Sequence, residues 1–407
     1  ITMRTHLTVI LLATGLIAVA APAAADSLTD VLQRKGLLTA GEVAAVQPAP
    51  LPKGLQGLSL GGVAYVDYSV GETGAAGGAT QSLNRFTLTR GYLTVEKELL
   101  PWMAARTTAD IHQDGDEDWK FRLKYLYAEL RPGDAGPLTQ MKAEIGLGHI
   151  PWLDFEEHIN PYRAQGTMAI ERAGIFNSAD LGLSLRGDFG GALAGAEGRT
   201  GNRHYTGRYG SWHVGVYNGG GYHAKEKNDN KLLEGRLTVR PLPDALPGLQ
   251  LSYLGITGKG NVDPGPDYTV NTVMASYEHP VGIVTAQYFQ STGNAAGSWT
   301  DLSGDGLDTA GYSLFGRLVA PRTHGRLAAF GRYDHFDADR DERVAGDADY
   351  DLALAGLSFD LHHHNTVLID YETVSYGNAS GGLGKAPVAD NRLGDDQRLQ
   401  VVYQIQY

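Results

Sequence analysis

The sequence predicts an all-β protein: a transmembrane antiparallel β-barrel of sixteen strands, preceded by a short N-terminal helical segment. Three observations predict it. The last nine residues, LQVVYQIQY, place Leu399, Val401, Tyr403, Ile405 and Tyr407 on one parity and Gln400, Gln404 and Gln406 on the other. A period of two is that of a strand with one apolar and one polar face. The 54 glycines and 21 tyrosines among 407 residues fit many turns and many aromatic strands. Seven short turn signals alternate with longer connectors between residues 58 and 407. Sixteen strands share that length at roughly 22 residues each, against the roughly 9–11 that a membrane-spanning strand needs.

The first residues read as a targeting signal. Met3 is the expected coding start, which makes Ile1 and Thr2 an upstream artefact. Arg4 and His6 precede the apolar run LTVILLATGLIAVAA (Leu7–Ala21), and APAAA offers small residues for cleavage before Asp26. Residues 1–25 are therefore expected to be a secretory signal peptide, too short and wrongly flanked for a membrane span. Beyond it no stretch is long and apolar enough for a transmembrane helix. The chain has no cysteine, which excludes disulfides, thiolate metal sites and c-type haem attachment; no cofactor is expected. A formal charge of −12 argues against general nucleic-acid binding.

Residues 26–57 are expected to form a periplasmic helical segment and linker. Leu28, Val31 and Leu32 recur at helical spacing, Gly36 is placed to end that helix, and Thr39-Ala40-Gly41-Glu42 is a capping box. QPAPLPKG (47–54) is the linker. The segment is either a self-association element or a frayed terminus.

From Leu58 the period changes to two. LSLGGVAYVDYSV puts Leu58, Leu60, Ala64, Val66, Tyr68 and Val70 opposite Ser59, Asp67 and Ser69. WMAARTTADI opposes Met103, Ala105, Thr107, Ala109 and Ile111 to Ala104, Arg106, Thr108 and Asp110. LLEGRLTVRP sets Glu234, Arg236, Thr238 and Arg240 on one face. RFTLTRGYLTV breaks phase near Arg90-Gly91, where a bulge is expected. Short turns fall at 99–102, 131–137, 241–248, 278–282, 320–325 and 361–365, with a seventh inside 187–207. Seven short turns and eight long loops bring both barrel ends to one side. In a bilayer no strand edge is left unpaired, so the last strand seals against the first. Its apolar face then meets lipid, its glutamines a wet lumen, and Tyr407 an interface. The terminal aromatic with its alternating apolar residues resembles the signal read by the outer-membrane barrel insertion machinery. The competing fold is a soluble all-β sandwich.

Three stretches go further. IGLGHIPWLDFEE (Ile145–Glu157), IERAGIFNSADLGLSLRGDF (Ile170–Phe189) and WHVGVYNGGGYHAKEKNDNKLLEGRLTVRP (Trp212–Pro241) resemble the third-loop entry, the third-loop return and a strand–loop–strand unit of the phosphate-selective porin O and P family. VLQRKGLLTAGE also recurs in that family. The resemblance implies a Gram-negative outer-membrane porin, usually a homotrimer, whose third loop (here about 150–177) folds into the lumen and narrows it. It implies passive diffusion of small anions such as phosphate, or of other polar solutes, and no enzymatic activity. The sequence departs from the family at His149, where lysine is common; a mostly neutral imidazole weakens the fixed positive field.

An anion path needs cations strung along it, each holding its ion weakly, and the planar guanidinium fork matches oxyanions best. The candidates are Arg85, Arg90, Arg106, Lys120, Arg122, Lys124, Arg186, Arg236, Arg240, Arg317, Arg332 and Arg398 on the wall. The third loop adds His149, Arg163 and Arg172. Arg236 and Arg240 share a face and are expected to hand an anion along. Arg106 with Asp110, and Glu234 with Arg236, are expected neutralising neighbours. Asp114, Asp116 and Asp118 imitate a calcium loop, but Trp119 and Tyr125 stand where glycine and glutamate are needed. His362, His363 and His364 lie in a short turn without anchored partners, so no metal is expected. The competing functions are an outer-membrane hydrolase and a barrel sheathing a partner protein; no motif links the serines and histidines present.

Overall fold

The computed structural model describes Lys35, Pro52 and residues 54–113, 118–344, 346–362 and 365–407. The expected signal peptide, and nearly all of the helical segment and linker, lie outside the described residues. The rest is a closed barrel of sixteen antiparallel strands, each hydrogen-bonded to its sequence neighbours, with β1 sealed to β16. The first four are β1 (Leu58–Ala75), β2 (Ala79–Leu100), β3 (Met103–Gln113) and β4 (Trp119–Leu130). Then come β5 (Leu138–His149), β6 (Ala179–Phe189), β7 (Gly210–Tyr217) and β8 (Leu232–Val239). The second half begins with β9 (Leu249–Lys259), β10 (Asp267–His279), β11 (Gly282–Thr292) and β12 (Asp308–Val319). It ends with β13 (Leu327–Asp337), β14 (Asp349–His362), β15 (Asn365–Tyr376) and β16 (Asp396–Gln406). The sandwich alternative is thereby excluded.

The closing register pairs Tyr68 with Val401 and Val66 with Tyr403. Gln400 and Val402 are buried inside while Tyr403 is exposed on the outside, so the period of two in LQVVYQIQY has the structural meaning assigned to it. All seven short turns fall where the punctuation placed them. The connection expected between β1 and β2 differs: these are long strands closed by residues 76–78 alone, so the hairpin itself projects in place of a loop. Phe86 and Leu93, an odd number of residues apart, both face outward, so alternation slips once between them. Consecutive Thr89 and Arg90 consequently both reach inward, to Asp67 and to Asp110, which is the phase break expected at Arg90-Gly91.

The interior is asymmetric. On β9–β15 apolar side chains share the inward positions with polar ones, and Leu254, Val270, Phe289, Phe315, Phe330, Leu352 and Leu368 are all buried. They form one cluster with Trp152, Leu153, Phe155, Ile159, Met168 and Ile170. All of the latter belong to the connection between β5 and β6 (150–178, hereafter L3), the longest in the described barrel. L3 carries α1 (Leu153–Ile159) and α2 (Ala169–Arg172). It lies inside because only there can its apolar side chains leave water. The third short turn, residues 190–209 (T3), carries α3 (Ala196–Thr200) and also folds inward from the opposite end. That end holds both barrel termini and all the short turns, which is the periplasmic end in outer-membrane barrels.

Candidate functional site

The site is the lumen between L3 and the β2–β4 wall. L3 is fixed from several sides. Arg236 on β8 donates from Nε to the Pro151 carbonyl at 2.9 Å and from Nη1 to Ser211 and Thr238 at 2.9 and 2.6 Å. Its guanidinium lies 4.1 Å from the Phe155 ring centroid. Arg172 donates to Glu372 on β15 at 2.8 Å, and Gln165 donates to the same carboxylate at 2.8 Å. Arg332 on β13 bonds Asp334 and the Thr167 carbonyl, the latter at 2.7 Å. The Tyr162 hydroxyl bonds Ser358 at 2.6 Å and accepts from Arg317 at 2.9 Å. Tyr217 donates to the His149 carbonyl at 2.7 Å.

At the root of the loop, His149 is buried between the Tyr125 and Tyr127 rings. Its backbone N–H and Nδ1 both meet Glu144, at 2.9 and 3.0 Å. Arg186 bridges Glu144 and Asp154 at 2.9 and 3.2 Å. Burial alone would raise the Asp154 carboxyl; the charges of His149, His158 and Arg186 outweigh it and hold that group well below the usual carboxylate range. Burial pushes the nearby Glu156 carboxyl up to about 7 against the pull of Arg332 and the Trp152 indole N–H, which donates to it at 2.7 Å.

The opposite wall alternates cations and tyrosines. Arg90 and Arg122 both grip the buried Asp110, at 3.1 and 2.7 Å, so two guanidiniums share one carboxylate. Arg122 also donates to the Tyr222 hydroxyl at 3.0 Å and sits 5.0 Å from its ring centroid. Lys124 donates to the Tyr92 hydroxyl at 3.2 Å, with its ammonium 4.4 Å from that ring's centroid. Arg106 lies 5.1 Å from the Tyr125 centroid and pairs with Glu96 at 3.5 Å. Across from them, Arg163 of L3 bonds Glu157 at 2.9 Å and Glu171 at 3.3 Å, so that group has one cation for two carboxylates. A net positive wall faces a net negative loop.

The structure thus brings Arg90, Arg106, Arg122, Lys124 and Arg163 together across the lumen, and sets His149 and Arg186 at the loop root. Arg398 joins Arg172 on Glu372, at 2.8 Å. Arg236 and Arg240 share a face as expected, but both are buried. Arg240 donates to the backbone carbonyls of Gly207, Tyr205 and Pro247. Their geometry is that of clamps on L3 and T3. The expected neighbours also differ: Asp110 serves Arg90 and Arg122 in place of Arg106, and the Arg236 partners are neutral oxygens. Arg85 and Lys120 lie exposed toward the extracellular ends of their strands. Asp114 and Asp116, and His363 and His364, lie outside the described residues.

Sequence reasoning missed the carboxylates that fix these cations and the whole role of T3. Asn202 of T3 donates to the His158 carbonyl at 2.8 Å and to Glu278 at 2.6 Å. Tyr205 donates to Asp154 and packs edge-on against Phe155 at 5.1 Å. Two cavities, of about 340 and 480 Å³, flank this contact beneath L3. Among the described residues one group has metal-ligand spacing: His335, Asp349 and Asp351, with donor atoms within 4.8 Å of one another. It stands at the ends of β13 and β14 on the parity of outward Tyr333, away from the lumen.

No family model matches the chain, and no curated protein sequence matches it. Solved structures do. The anion-selective porin from Comamonas acidovorans superposes with a TM-score of 0.57 at 13% identity, over 86% of this chain and 99% of that one. The outer-membrane channel DcaP of Acinetobacter baumannii gives 0.56 at 11% identity, over 86% and 97%. The trimer form of OmpT, an outer-membrane protein of Vibrio cholerae, gives 0.52 at 10% identity, over 86% and 99%. The fold is that of outer-membrane porins.

Proposed function

We propose that the protein is an outer-membrane porin: a passive diffusion channel, without enzymatic activity, that favours small anions such as phosphate. The observation that carries this reading is the β2–β4 wall. There Arg90 and Arg122 share the single carboxylate of Asp110 while Lys124 and Arg106 stand over tyrosine rings. The surplus charge is fixed, oriented and inside a low-dielectric tube, where it concentrates counter-ions. Tyrosine faces and shared carboxylates keep each cation from holding an anion tightly, as conduction requires. Likeness in fold to an anion-selective porin and to a trimeric outer-membrane protein supports the reading and a homotrimeric assembly.

The test is the reversal potential of the reconstituted protein in a planar bilayer under a salt gradient. The wild type is expected to prefer anions, and Arg106→Glu with Arg122→Glu to move the potential toward cations while heat-modifiable migration stays normal. Stepwise conductance with unchanged selectivity in the double variant would refute the wall as the selector. A folded barrel without conductance would refute the channel and revive the hydrolase or sheath.

A further inference from the structure

We infer that T3 splits the periplasmic end of the pore into two branches of opposite electrostatic character, one for anions and one for cationic or zwitterionic solutes. Arg203 and His204 of T3, with His158 of L3, form the partition. The inference rests on the reading that solutes diffuse through this lumen.

T3 is built to stay inside. Leu193 and Thr200 are buried, and Arg199 donates to the carbonyls of Pro243 and Asp244 at 3.0 and 2.9 Å. Gly201 has a φ of +81°, and a Cβ there would stand 3.2 Å from Pro280 Cα, so only glycine lets the turn approach the β10–β11 corner so closely. The tip is tied to L3 by Asn202 and Tyr205, as described above, and the His158 and His204 rings lie 3.9 Å apart. A turn that only joined two strands would need none of these contacts.

The two cavities share His158, Arg203 and His204 as lining residues and otherwise differ. The smaller, against β3–β7, sets Arg106, Lys142, Arg186 and Arg203 against Asp154 and Asp188. Among the described residues the buried Nε of Arg186 in its lining has no hydrogen-bond partner, so this guanidinium keeps a donor beyond those it gives to Glu144 and Asp154. The larger, against β10–β12 and β16, sets Glu157, Glu197 and Glu278 against Arg203 and Arg317, with Gln404 and Gln406 completing the wall. One branch has a surplus of cations and donors, the other a surplus of carboxylates.

The absence of cysteine makes the test clean. Thr206→Cys marks the smaller cavity and Gln404→Cys the larger. Each is exposed to an anionic (sulfonatoethyl) or a cationic (trimethylammonioethyl) methanethiosulfonate during single-channel recording. The thiolate attacks the thiosulfonate sulfur, forming a mixed disulfide and releasing methanesulfinate. The anionic reagent is expected to react about tenfold faster than the cationic at residue 206, and the order to reverse at residue 404. Each modification should lower conductance in part, and the doubly modified channel should lose more than either alone. Gln140→Cys and Gln406→Cys line the same two cavities and replace either variant that fails to fold. The same charge preference at both positions, or a modification at 404 that leaves conductance unchanged, would overturn the two branches and leave the porin reading intact. Failure of the unmodified channel to conduct would overturn that reading itself.

Discussion

Glu156 makes the docking of L3 depend on pH. Its carboxyl is buried beneath α1 against the Trp152 indole N–H, and burial lifts it from 4.5 to about 7. When L3 leaves the wall the group meets water and returns to its ordinary value. A carboxyl raised in the docked state leaves stability whole below the undocked pKa and removes it as pH rises through the docked one. Between roughly pH 5 and pH 8 the docking equilibrium should therefore weaken by about 2.5 kcal/mol, roughly 70-fold. Open-channel noise in single-channel records reports L3 excursions and is expected to grow with alkaline pH. Glu156→Gln keeps an acceptor for the indole but cannot ionise, so its noise should rise less with pH than that of the wild type, the remainder coming from Glu157, which burial also raises. His158 lies on the same helix, and His158→Gln is the control at a neighbouring position of the loop. Noise that rises on acidification, or a Glu156→Gln channel as pH-sensitive as the wild type, would refute the reasoning.

Other substitutions test the anchors and the membrane face. Arg172→Met leaves Glu372 to Arg398 and Gln165 and should cost about 1.5–3 kcal/mol of L3 docking, the worth of one charge-assisted hydrogen bond; a double-mutant cycle with Glu372→Gln, read by conductance noise, should return a coupling energy of that order. Arg236→Met keeps packing on Phe155 but loses the bonds to Pro151, Ser211 and Thr238, and should loosen the loop root by about 2–4 kcal/mol, seen as a higher mean conductance in an intact barrel. Val273→Arg puts charge at the middle of β10 on its outward face and should lower barrel stability by about 2–4 kcal/mol in a urea-unfolding series, whereas Thr272→Ser on the inward face should change it little.

Much of the barrel was legible because alternation and turns are local signals. Leu233, Glu234, Leu237 and Thr238 reveal their faces by parity alone, and breaks in the alternation, most of them marked by proline or glycine, located the short turns. The site was legible only in part. Arg172 and Glu372 are 200 residues apart in sequence, and no local pattern pairs them. T3 was hidden for a related reason: GGALAGAEGRTGN carries the composition of any glycine-rich turn, and its contacts lie on distant β10 and L3. One local signal does point to the loop. In β14, DLALAGLSFDL, both parities are apolar; Leu352 and Leu354 point inward while Leu357 is exposed to the outside. A strand greasy on both faces inside a polar tube announces that something apolar covers its inner face. The aromatic and aliphatic residues of L3 are that cover.

The same asymmetry explains why an acidic chain can carry a positive pore. Net charge sums over rim and loop groups such as Asp244 and Asp267, which are about three-quarters exposed on their side chains and screened within a Debye length. Inside, carboxylates were needed because unpaired buried guanidiniums would be too costly, yet they are placed unevenly. Asp110 serves two arginines on the wall, while Glu157 and Glu171 share one on the loop. The lumen therefore carries a field directed from β2–β4 toward L3, set by stoichiometry within each buried cluster and not by the total. Individual cations are held by partners and still act together on a passing solute. Neutralising one arginine of the Asp110 pair should thus change selectivity more than its own exposure implies, because it turns a surplus into a balance.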